Sequence, residues 1–203
     1  MRRLGILLSG RGSNFEAIAD HIDSGDLQAQ ISVVISNVAT APGLEKARQR
    51  GLEAVFVPSK GVGREEFESR LQEVLRQKQV DLICLAGFMR LLSRAFIQAF
   101  PLKILNIHPS LLPAFPGLDA QRQALHHGVK ISGCTVHFVD EGLDSGPIVG
   151  QACVPVLDED TEETLSARIL KEEHHLYWKS IQRVLAGHFR VEGRRVIWTS
   201  ENS

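Results

Sequence analysis

Two polar residues that stand two positions apart are the first candidates for chemistry in this sequence. Asn106 and His108 end an apolar run and immediately precede Pro109, which stops a strand. Because residues i and i+2 of a strand point to the same face, we expect both side chains to lie in one cleft. An imidazolium and an amide N–H both donate hydrogen bonds, so the pair is suited to stabilising the oxyanion of an acyl transfer. The same imidazole is able to move protons near neutral pH.

A carboxylate completes this candidate catalytic set. Asp144 lies in an acidic, glycine-rich loop at residues 140–146. A carboxylate beside an imidazole favours the charged ring, but the sequence alone does not establish that Asp144 reaches His108. The alternative interpretations are a turn residue for Asp144 and a core or capping histidine for His108. We interpret His137 as a structural histidine that hydrogen-bonds from its strand.

A second candidate site lies at Ser9–Asn14, which joins the first apolar run to an amphipathic stretch. Two glycines allow the backbone to approach a ligand closely, and the amides at a helix start favour an anion. Arg11 adds charge, while Ser13 and Asn14 add side-chain donors. The third glycine of a dinucleotide loop and the lysine of a triphosphate loop are both missing, so we expect a monophosphate. An ordinary strand-to-helix turn is the alternative.

The elements that position these residues follow an alternating pattern. Short, continuous apolar runs predict buried parallel strands. These runs are Leu4–Leu8, Ile31–Ile35, Ala54–Val57, Leu82–Ala86 and Ile104–Ile107. Apolar residues at helical spacing predict helices between them. The predicted helices are Asn14–Ile22, Gly43–Gln49 and Arg64–Gln77. This alternation predicts the α/β class with a doubly wound, mostly parallel sheet.

After Pro109 the pattern changes to that of an antiparallel carboxyl-terminal addition. Prolines and glycines predict loops there, and a Thr cap and a following glycine predict the limits of a long helix. The predicted elements are a loop at Leu111–Leu118, a helix at Gln121–His127, strands at Cys134–Val139 and Ile148–Val156, a helix from the cap Thr161 to about Ala186, and a hairpin around Glu192 and Gly193. We expect a single domain over residues 1–203.

The composition limits the classes of function. The 203 residues include 23 Lys and Arg against 24 Asp and Glu, for a net charge of -1. This balance argues against nucleic-acid and membrane partners. Three cysteines without paired spacing indicate reduced thiols in the cytoplasm, and their apolar contexts argue against a thiol nucleophile. The histidines lack the spacing of metal ligands, so we expect no metal.

Six motifs, in order along the chain, carry a resemblance to a known family. They are Ser9–Asn14, Leu85–Arg90, Asn106–Pro113, Phe115–Gly117, Gly133–Asp140 and Asp144–Ile148. With these motifs the sequence resembles the phosphoribosylglycinamide formyltransferases, folate-dependent enzymes of purine synthesis, from about Leu4 to about Ala186. The resemblance implies a Rossmann-like formyltransferase fold. It also implies transfer of a formyl group from the cosubstrate 10-formyltetrahydrofolate to the amine of glycinamide ribonucleotide, in de novo purine (IMP) biosynthesis.

The resemblance implies a role for each candidate residue. Asn106, His108 and Asp144 match the catalytic set, in which Asp144 raises the pKa of His108. The residues that match the ribonucleotide site are Arg11, Gly12, Ser13, Asn14 and Glu173. Those that match the folate pocket are Arg64, Met89, Arg90, Leu91, Leu92, Asn106, Asp140 and Asp144. Without the resemblance, Glu173 and Arg64 would be interpreted as solvated helix charges. Asp119 and Gln121 stand where we expect histidines in many family members, which leaves the catalytic set intact.

Three alternatives remain open. A formyltetrahydrofolate hydrolase uses water in place of the amine and has no use for a phosphate loop. A methionyl-tRNA formyltransferase needs a basic tRNA-binding extension, and a non-catalytic folate- or nucleotide-binding module transfers no group. Because the motifs occupy nearly the whole chain, we expect no further regulatory or tRNA-binding domain. We expect small-molecule substrates as the partners, and a monomer or homodimer.

Overall fold

The structure is a computed structural model that describes residues 1–199. The chain divides into two compact units, residues 1–105 and the residues from 106 onward. Whether the chain acts as the single domain that the sequence predicts stays a prediction. No helix within residues 1–199 is long and apolar enough to cross a lipid bilayer.

The first unit is built on parallel strands that alternate with helices. Its strands are β1 (Arg2–Leu8), β2 (Ala29–Ser36), β3 (Ala54–Phe56) and β4 (Leu82–Leu85). Its helices are α1 (Ser13–Asp23), α2 (Pro42–Gln49), α3 (Arg64–Gln77) and α4 (Arg94–Ala99). The strands pair in the order β3-β2-β1-β4, all parallel. The chain therefore winds outward from β1 and then returns to its other side, which is the doubly wound arrangement that the sequence predicts.

The core of this unit explains why its strands are apolar throughout. The β1 residues Leu4 and Ile6–Leu8 are fully buried, as expected for a strand that is covered on both faces. Gly5 gives α3 room to pack against β1, because a Cβ at Gly5 would lie 2.8 Å from Leu75 Cδ2. The short helix α4 was not predicted. Its six residues are too few for a periodic pattern, and it begins where the Phe96 N–H donates to Ser93 Oγ at 3.2 Å.

The second unit carries the antiparallel addition. The strand β5 (Ile104–His108) leads into it. Its further elements are α5 (Ala120–His126), β6 (Ile131–Phe138), β7 (Ile148–Pro155), α6 (Glu162–Ala186), β8 (Phe189–Glu192) and β9 (Arg195–Trp198). β6 and β7 pair antiparallel, as do β8 and β9, while β9 touches β7 in parallel at one residue pair. The predicted antiparallel strands and terminal hairpin are confirmed.

The long helix α6 begins and ends at the predicted residues. The Thr164 N–H donates to Thr161 Oγ1 at 3.3 Å, and the Thr161 N–H donates to Thr164 Oγ1 at 3.0 Å. This reciprocal pair is a capping box. Gly187, with φ 79°, ends the helix in the left-handed conformation that glycine adopts without strain. The hairpin is tied to the helix by Arg183, whose guanidinium stacks 3.8 Å from the ring centre of Trp198.

Candidate active site

Four side chains of the second unit form a cluster that we call the catalytic cluster: Asn106, His108, His137 and Asp144. β5 ends with Asn106 and His108, β6 carries His137 near its end, and the following loop carries Asp144. Asp144 Oδ2 lies 3.4 Å from His108 Nδ1, and Asp144 Oδ1 lies 3.7 Å from His137 Nε2. The structure thus brings Asp144 to His108 across 36 positions of sequence, which the sequence did not establish.

The buried His108 ring lies between two oxygen atoms. Its Nε2 is 2.9 Å from the backbone oxygen of Phe115, and its Nδ1 faces the Asp144 carboxylate. Only 5% of His108 is exposed, so water contributes little to satisfying the ring. A carbonyl and a carboxylate oxygen both accept hydrogen bonds, and only a doubly protonated imidazole donates from both nitrogens. Both ring nitrogens of His108 therefore face acceptor oxygens.

His137 is in the opposite electrostatic situation. Its Nδ1 lies 2.9 Å from the backbone oxygen of Phe138, so this nitrogen is the donor, and its Nε2 lies 3.2 Å from Asn106 Nδ2. Burial lowers the pKa of His137, outweighing the opposing effects of the Phe138 carbonyl and of Asp144. A neutral His137 accepts a hydrogen bond from the Asn106 amide at Nε2. His137 therefore sets the orientation of the Asn106 side chain.

Sequence reasoning missed this second contact of His137. The interpretation of a strand histidine that hydrogen-bonds locally accounts for its Nδ1, which bonds to the adjacent residue. It does not account for Nε2, which contacts Asn106 at a separation of 31 positions. The available signal was that the strand of His137 runs directly into the loop of Asp144.

The loop between β6 and β7 holds Asp144 in a strained but well-bonded conformation. Asp144 has φ 48°, and its Oδ2 accepts a hydrogen bond from the Gly117 N–H at 2.8 Å. Asp140 folds the same loop, because its Oδ1 accepts from Ser145 Oγ at 2.7 Å. Gly146 is required by space, since a Cβ there would lie 1.8 Å from a backbone oxygen of β6. In these contacts, Asp140 shapes the loop.

The loop after β5 is anchored by two further residues that the sequence did not single out. Thr135 Oγ1 donates to the Ser110 oxygen at 2.7 Å and accepts from the Leu112 N–H at 3.0 Å. Gln151 Nε2 donates to the Leu112 oxygen at 2.9 Å. Ser110 Oγ in turn donates to the Ala114 oxygen at 2.5 Å and lies 3.2 Å from the Phe115 oxygen. This network holds the carbonyl that His108 Nε2 contacts.

In the first unit, the predicted phosphate residues lie together at the start of α1. Gly12 caps the helix with φ 77°, Ser13 is the first helical residue, and Arg11 is exposed. Glycine is required at position 12 because the backbone is left-handed there and a Cβ would lie 3.0 Å from Gly43 Cα. Asn14 is buried under this turn. The loop presents backbone amides at the positive end of a helix, as an anion site requires.

The segment 86–93 of the first unit, which we call the folate segment after the predicted role of Met89, Arg90, Leu91 and Leu92, is irregular but firmly held. Arg64 Nη2 donates to the Leu91 oxygen at 2.9 Å, and Glu68 Oε1 accepts from the Ser93 N–H at 2.7 Å. The apolar side chains of Met89 and Leu91 nevertheless stay exposed, at 66% and 70%. The backbone is thus fixed while apolar surface is presented to solvent, an arrangement typical of ligand sites.

Glu173 is buried on α6, with 7% of its surface exposed, so the interpretation as a solvated charge is wrong.

Burial raises the pKa of the Cys134 thiol to about 12, and the charges of Glu173 and Glu172 add to this effect. Cys134 is therefore protonated at neutral pH and is a poor nucleophile. Cys153 is exposed, contrary to the apolar context expected for it.

The remaining predicted positions need brief mention. Asp119 occupies the cap position of α5 with φ 56° and forms an ion pair with Arg122. Arg90 is exposed and Leu92 is half-buried in the folate segment. Within residues 1–199, no three His, Cys, Asp or Glu side chains are arranged to hold a metal ion. That the protein uses no metal stays a prediction.

Comparison with known proteins identifies the family. The formyl transferase family model matches residues 2–181. The phosphoribosylglycinamide formyltransferase of Bacillus subtilis (strain 168) is 42% identical over 193 residues, which are 95% of this chain and 99% of that protein. The trifunctional purine biosynthetic protein adenosine-3 of Homo sapiens is 44% identical over 98% of this chain. The chain spans 14% to 20% of the length of the trifunctional relatives.

Solved structures agree with this identification. Glycinamide ribonucleotide transformylase 1 from Symbiobacterium toebii is 52% identical, with a TM-score of 0.96 over 98% of this chain and 95% of that chain. A formyltetrahydrofolate deformylase from Pseudomonas syringae is more distant, at 25% identity and a TM-score of 0.90, and this chain covers 66% of it. The predicted α/β formyltransferase fold, mostly parallel with an antiparallel carboxyl-terminal addition, is confirmed. The chain therefore belongs to the formyl transferase family, in the group of the phosphoribosylglycinamide formyltransferases.

Proposed function

We propose that this protein transfers the formyl group of 10-formyltetrahydrofolate to the amine of glycinamide ribonucleotide, as a step of purine biosynthesis. One observation carries the proposal. The His108 ring lies between two acceptor oxygens, and beside it stands an Asn106 amide that is oriented by His137. A positively charged donor and a neutral donor that are held in fixed directions suit the developing oxyanion of a formyl transfer. We further propose that the enzyme acts in the cytoplasm, as a monomer or homodimer.

The predicted phosphate-binding segment Ser9–Asn14, which we call the phosphate loop, supports glycinamide ribonucleotide as the acceptor. The backbone amides of Gly12, Ser13 and Asn14 begin a helix of 11 residues, where the helix dipole favours an anion. The exposed Arg11 adds a positive charge, and Glu173 is proposed to contact the ribonucleotide from α6. A site of this kind is suited to a single terminal phosphate and has no function in the hydrolysis of a folate.

The chemical step proceeds by direct attack. The neutral amine of the ribonucleotide attacks the formyl carbon and forms a tetrahedral intermediate with a negatively charged oxygen. His108 and the Asn106 amide donate hydrogen bonds to this oxygen. To do so, His108 Nε2 gives up its hydrogen bond to the Phe115 carbonyl and donates to the oxyanion instead. The bond from the formyl carbon to N10 of the folate then breaks. N10 gains a proton and the attacking nitrogen loses one, so that the products are the formylated ribonucleotide and tetrahydrofolate.

The surrounding residues prepare the catalytic cluster for this step. Asp144 stabilises positive charge on His108 from 3.4 Å. His137, neutral because it is buried, keeps the Asn106 amide nitrogen directed for donation. Asp144 and His137 thus hold the His108 ring and the Asn106 amide in place before the reaction, and the exchange of the His108 Nε2 hydrogen bond is the rearrangement that remains.

The folate segment supports a folate as the donor. Met89 and Leu91 present apolar surface on a backbone that Arg64 and Glu68 hold in place. We propose that this surface, together with Arg90 and Leu92, contacts the bound folate, and that the Asp140–Asp144 loop covers its pterin ring. Apolar walls with a few convergent donors are the usual construction of such sites.

Following tetrahydrofolate formation spectroscopically tests the proposal. The purified protein is mixed with 10-formyltetrahydrofolate, with and without glycinamide ribonucleotide, and both tetrahydrofolate and formate are measured. We expect tetrahydrofolate to form only when the ribonucleotide is present, with no free formate. Release of formate without the ribonucleotide would identify a formyltetrahydrofolate hydrolase instead. Absence of any turnover in the presence of both substrates would identify a binding module.

A further inference from the structure

One hydroxyl group in the first unit joins the phosphate loop to the folate segment. Ser9 is the residue that follows β1 and opens the phosphate loop. Its Oγ accepts a hydrogen bond from the Met89 N–H at 2.8 Å, and its own N–H donates to the Gly87 oxygen at 2.9 Å. Two bonds from one residue therefore fix the backbone of the folate segment at positions 87 and 89.

The direction of the Ser9 hydroxyl is set by its neighbours. Ser9 Oγ donates to Asn37 Oδ1 at 2.6 Å, and Asn37 Nδ2 donates to Ser59 Oγ at 3.1 Å. Because the Asn37 amide oxygen accepts the Ser9 proton, a lone pair of Ser9 is left to accept from Met89. Ser59 is buried, so the chain of bonds is sheltered from water at its far end. Such directed chains are stiffer than their separate bonds.

The backbone between Ser9 and the proposed anion site is held in place by contacts with Gly43. The Gly10 oxygen accepts from the Gly43 N–H at 3.1 Å, and Gly12 is held against Gly43 by close packing. Only three residues lie between Ser9 and Ser13, and Asn14 follows directly. An ordering of these amides by a phosphate is therefore transmitted to Ser9, and from Ser9 to the backbone of Met89.

From this geometry we propose that Ser9 is a positioning residue that couples the binding of the two substrates. The inference rests on the proposed function, which assigns the phosphate loop to the ribonucleotide and the folate segment to the folate. Occupation of either loop stiffens the Ser9 connection and so improves binding at the other. By thermodynamic linkage, the improvement in affinity is the same in both directions.

Titration calorimetry with glycinamide ribonucleotide and tetrahydrofolate tests the coupling. Tetrahydrofolate carries no formyl group, so both ligands can be present without turnover. For the unaltered protein we expect saturating ribonucleotide to lower the Kd for tetrahydrofolate about two- to tenfold, the range that one hydrogen bond supplies. In Ser9→Ala we expect the ratio of the two Kd values to fall toward one, because only the backbone bond from the residue 9 N–H to the Gly87 oxygen still joins the loops.

Two further variants distinguish a loss of coupling between the two ligands from a general loss of stability. Ser24→Ala removes an exposed hydroxyl that donates to Asp26 at 2.8 Å, and it should keep the full coupling. Asn37→Ala breaks the same chain of hydrogen bonds from its other side, and it should reduce the coupling without touching either loop. This variant also provides the test if Ser9→Ala fails to fold.

The outcomes are distinct. Coupling in Ser9→Ala and Asn37→Ala that equals that of the unaltered protein would overturn the proposal, as would an unaltered protein in which neither ligand changes the affinity for the other. Failure of the unaltered protein to bind either ligand would instead overturn the proposed function. Loss of coupling in both variants, with retention in Ser24→Ala, would support Ser9 as the link.

Discussion

The phosphate loop and the catalytic cluster are built by different physical means. The phosphate loop consists of consecutive residues whose backbone amides form the proposed anion site, and its crucial side-chain feature is the absence of a Cβ at Gly12. The catalytic cluster consists of side chains from three separate segments, which are joined by the Asn106–His137 hydrogen bond and by contacts of Asp144 with His108 at 3.4 Å and with His137 at 3.7 Å. A backbone site depends on local conformation, whereas a side-chain cluster depends on the fold around it. The two sites should therefore fail differently when single residues are changed.

The largest effect is expected from His108→Asn, which removes the imidazole of the catalytic cluster. Turnover should fall about 10²- to 10⁴-fold, the usual contribution of a positioned acid–base group. The Kd for glycinamide ribonucleotide should stay unchanged, because the phosphate loop does not depend on this side chain. Single-turnover kinetics and calorimetry measure the two quantities. His126→Asn, in which an exposed histidine of α5 is replaced, is the matched control. If the Kd for the ribonucleotide rose in His108→Asn in parallel with the loss of turnover, the two sites would not be independent.

Asp144→Asn should have the next largest effect. The substitution keeps the shape of the side chain but removes the charge that lies 3.4 Å from His108. A hydrogen bond to a charged group contributes about 1.5–3 kcal/mol, so turnover should fall about 10- to 100-fold. Asp158→Asn removes a surface carboxylate that pairs with Lys130, and it should leave turnover unchanged. Full activity of Asp144→Asn would show that His108 needs no carboxylate.

Gly12→Ala tests the backbone site. The left-handed conformation costs a residue with a Cβ about 1–2 kcal/mol, and the new Cβ would lie 3.0 Å from Gly43 Cα. The Kd for the ribonucleotide should rise about tenfold, while kcat at saturation is kept, which is the reverse of the His108→Asn result. Gly25→Ala has the same kind of strain, with φ 84° and open space around it. Gly25→Ala should lower the free energy of unfolding without changing the Kd for the ribonucleotide. If this Kd rose as much in Gly25→Ala as in Gly12→Ala, backbone strain alone would explain the effect.

The smallest effect is expected on the pH dependence of stability. Burial lowers the pKa of His137 in the folded protein, so below about pH 6.5 the unfolded chain binds a proton that the folded chain does not. The free energy of unfolding should therefore decrease as the pH falls from 7 to 5, by at most about 1.4 kcal/mol per unit from this residue. His137→Gln should flatten that decrease.

Denaturant titrations at several pH values measure this slope. His126→Gln replaces an exposed imidazole that meets water in both states, and it should leave the slope as it is. An unchanged slope in His137→Gln would mean that His137 is not neutral in the folded protein. The proposed orientation of Asn106 by His137 would then lack its basis.

The same contrast explains which parts of the molecule could be predicted. Continuous apolar runs and a helical repeat of apolar residues are local signals, and they located the strands and most helices to within a few residues. The capping Thr161 and the terminating Gly187 act through their own backbone, so they too were predicted correctly. The helix α4 was missed because six residues carry no periodic signal.

What the sequence determined by itself is the set of features that one segment encodes: the strands, the caps, the glycine turn of the phosphate loop, and the Asn106 and His108 pair on one strand. Only the tertiary structure decided that Asp144 faces His108, that Glu173 is buried, and that His137 orients Asn106. These last relations join residues that lie far apart in sequence and depend on burial and on the arrangement of strand ends. Burial also separates the two histidines, because it lowers the pKa of His137, while both ring nitrogens of His108 face oxygen atoms.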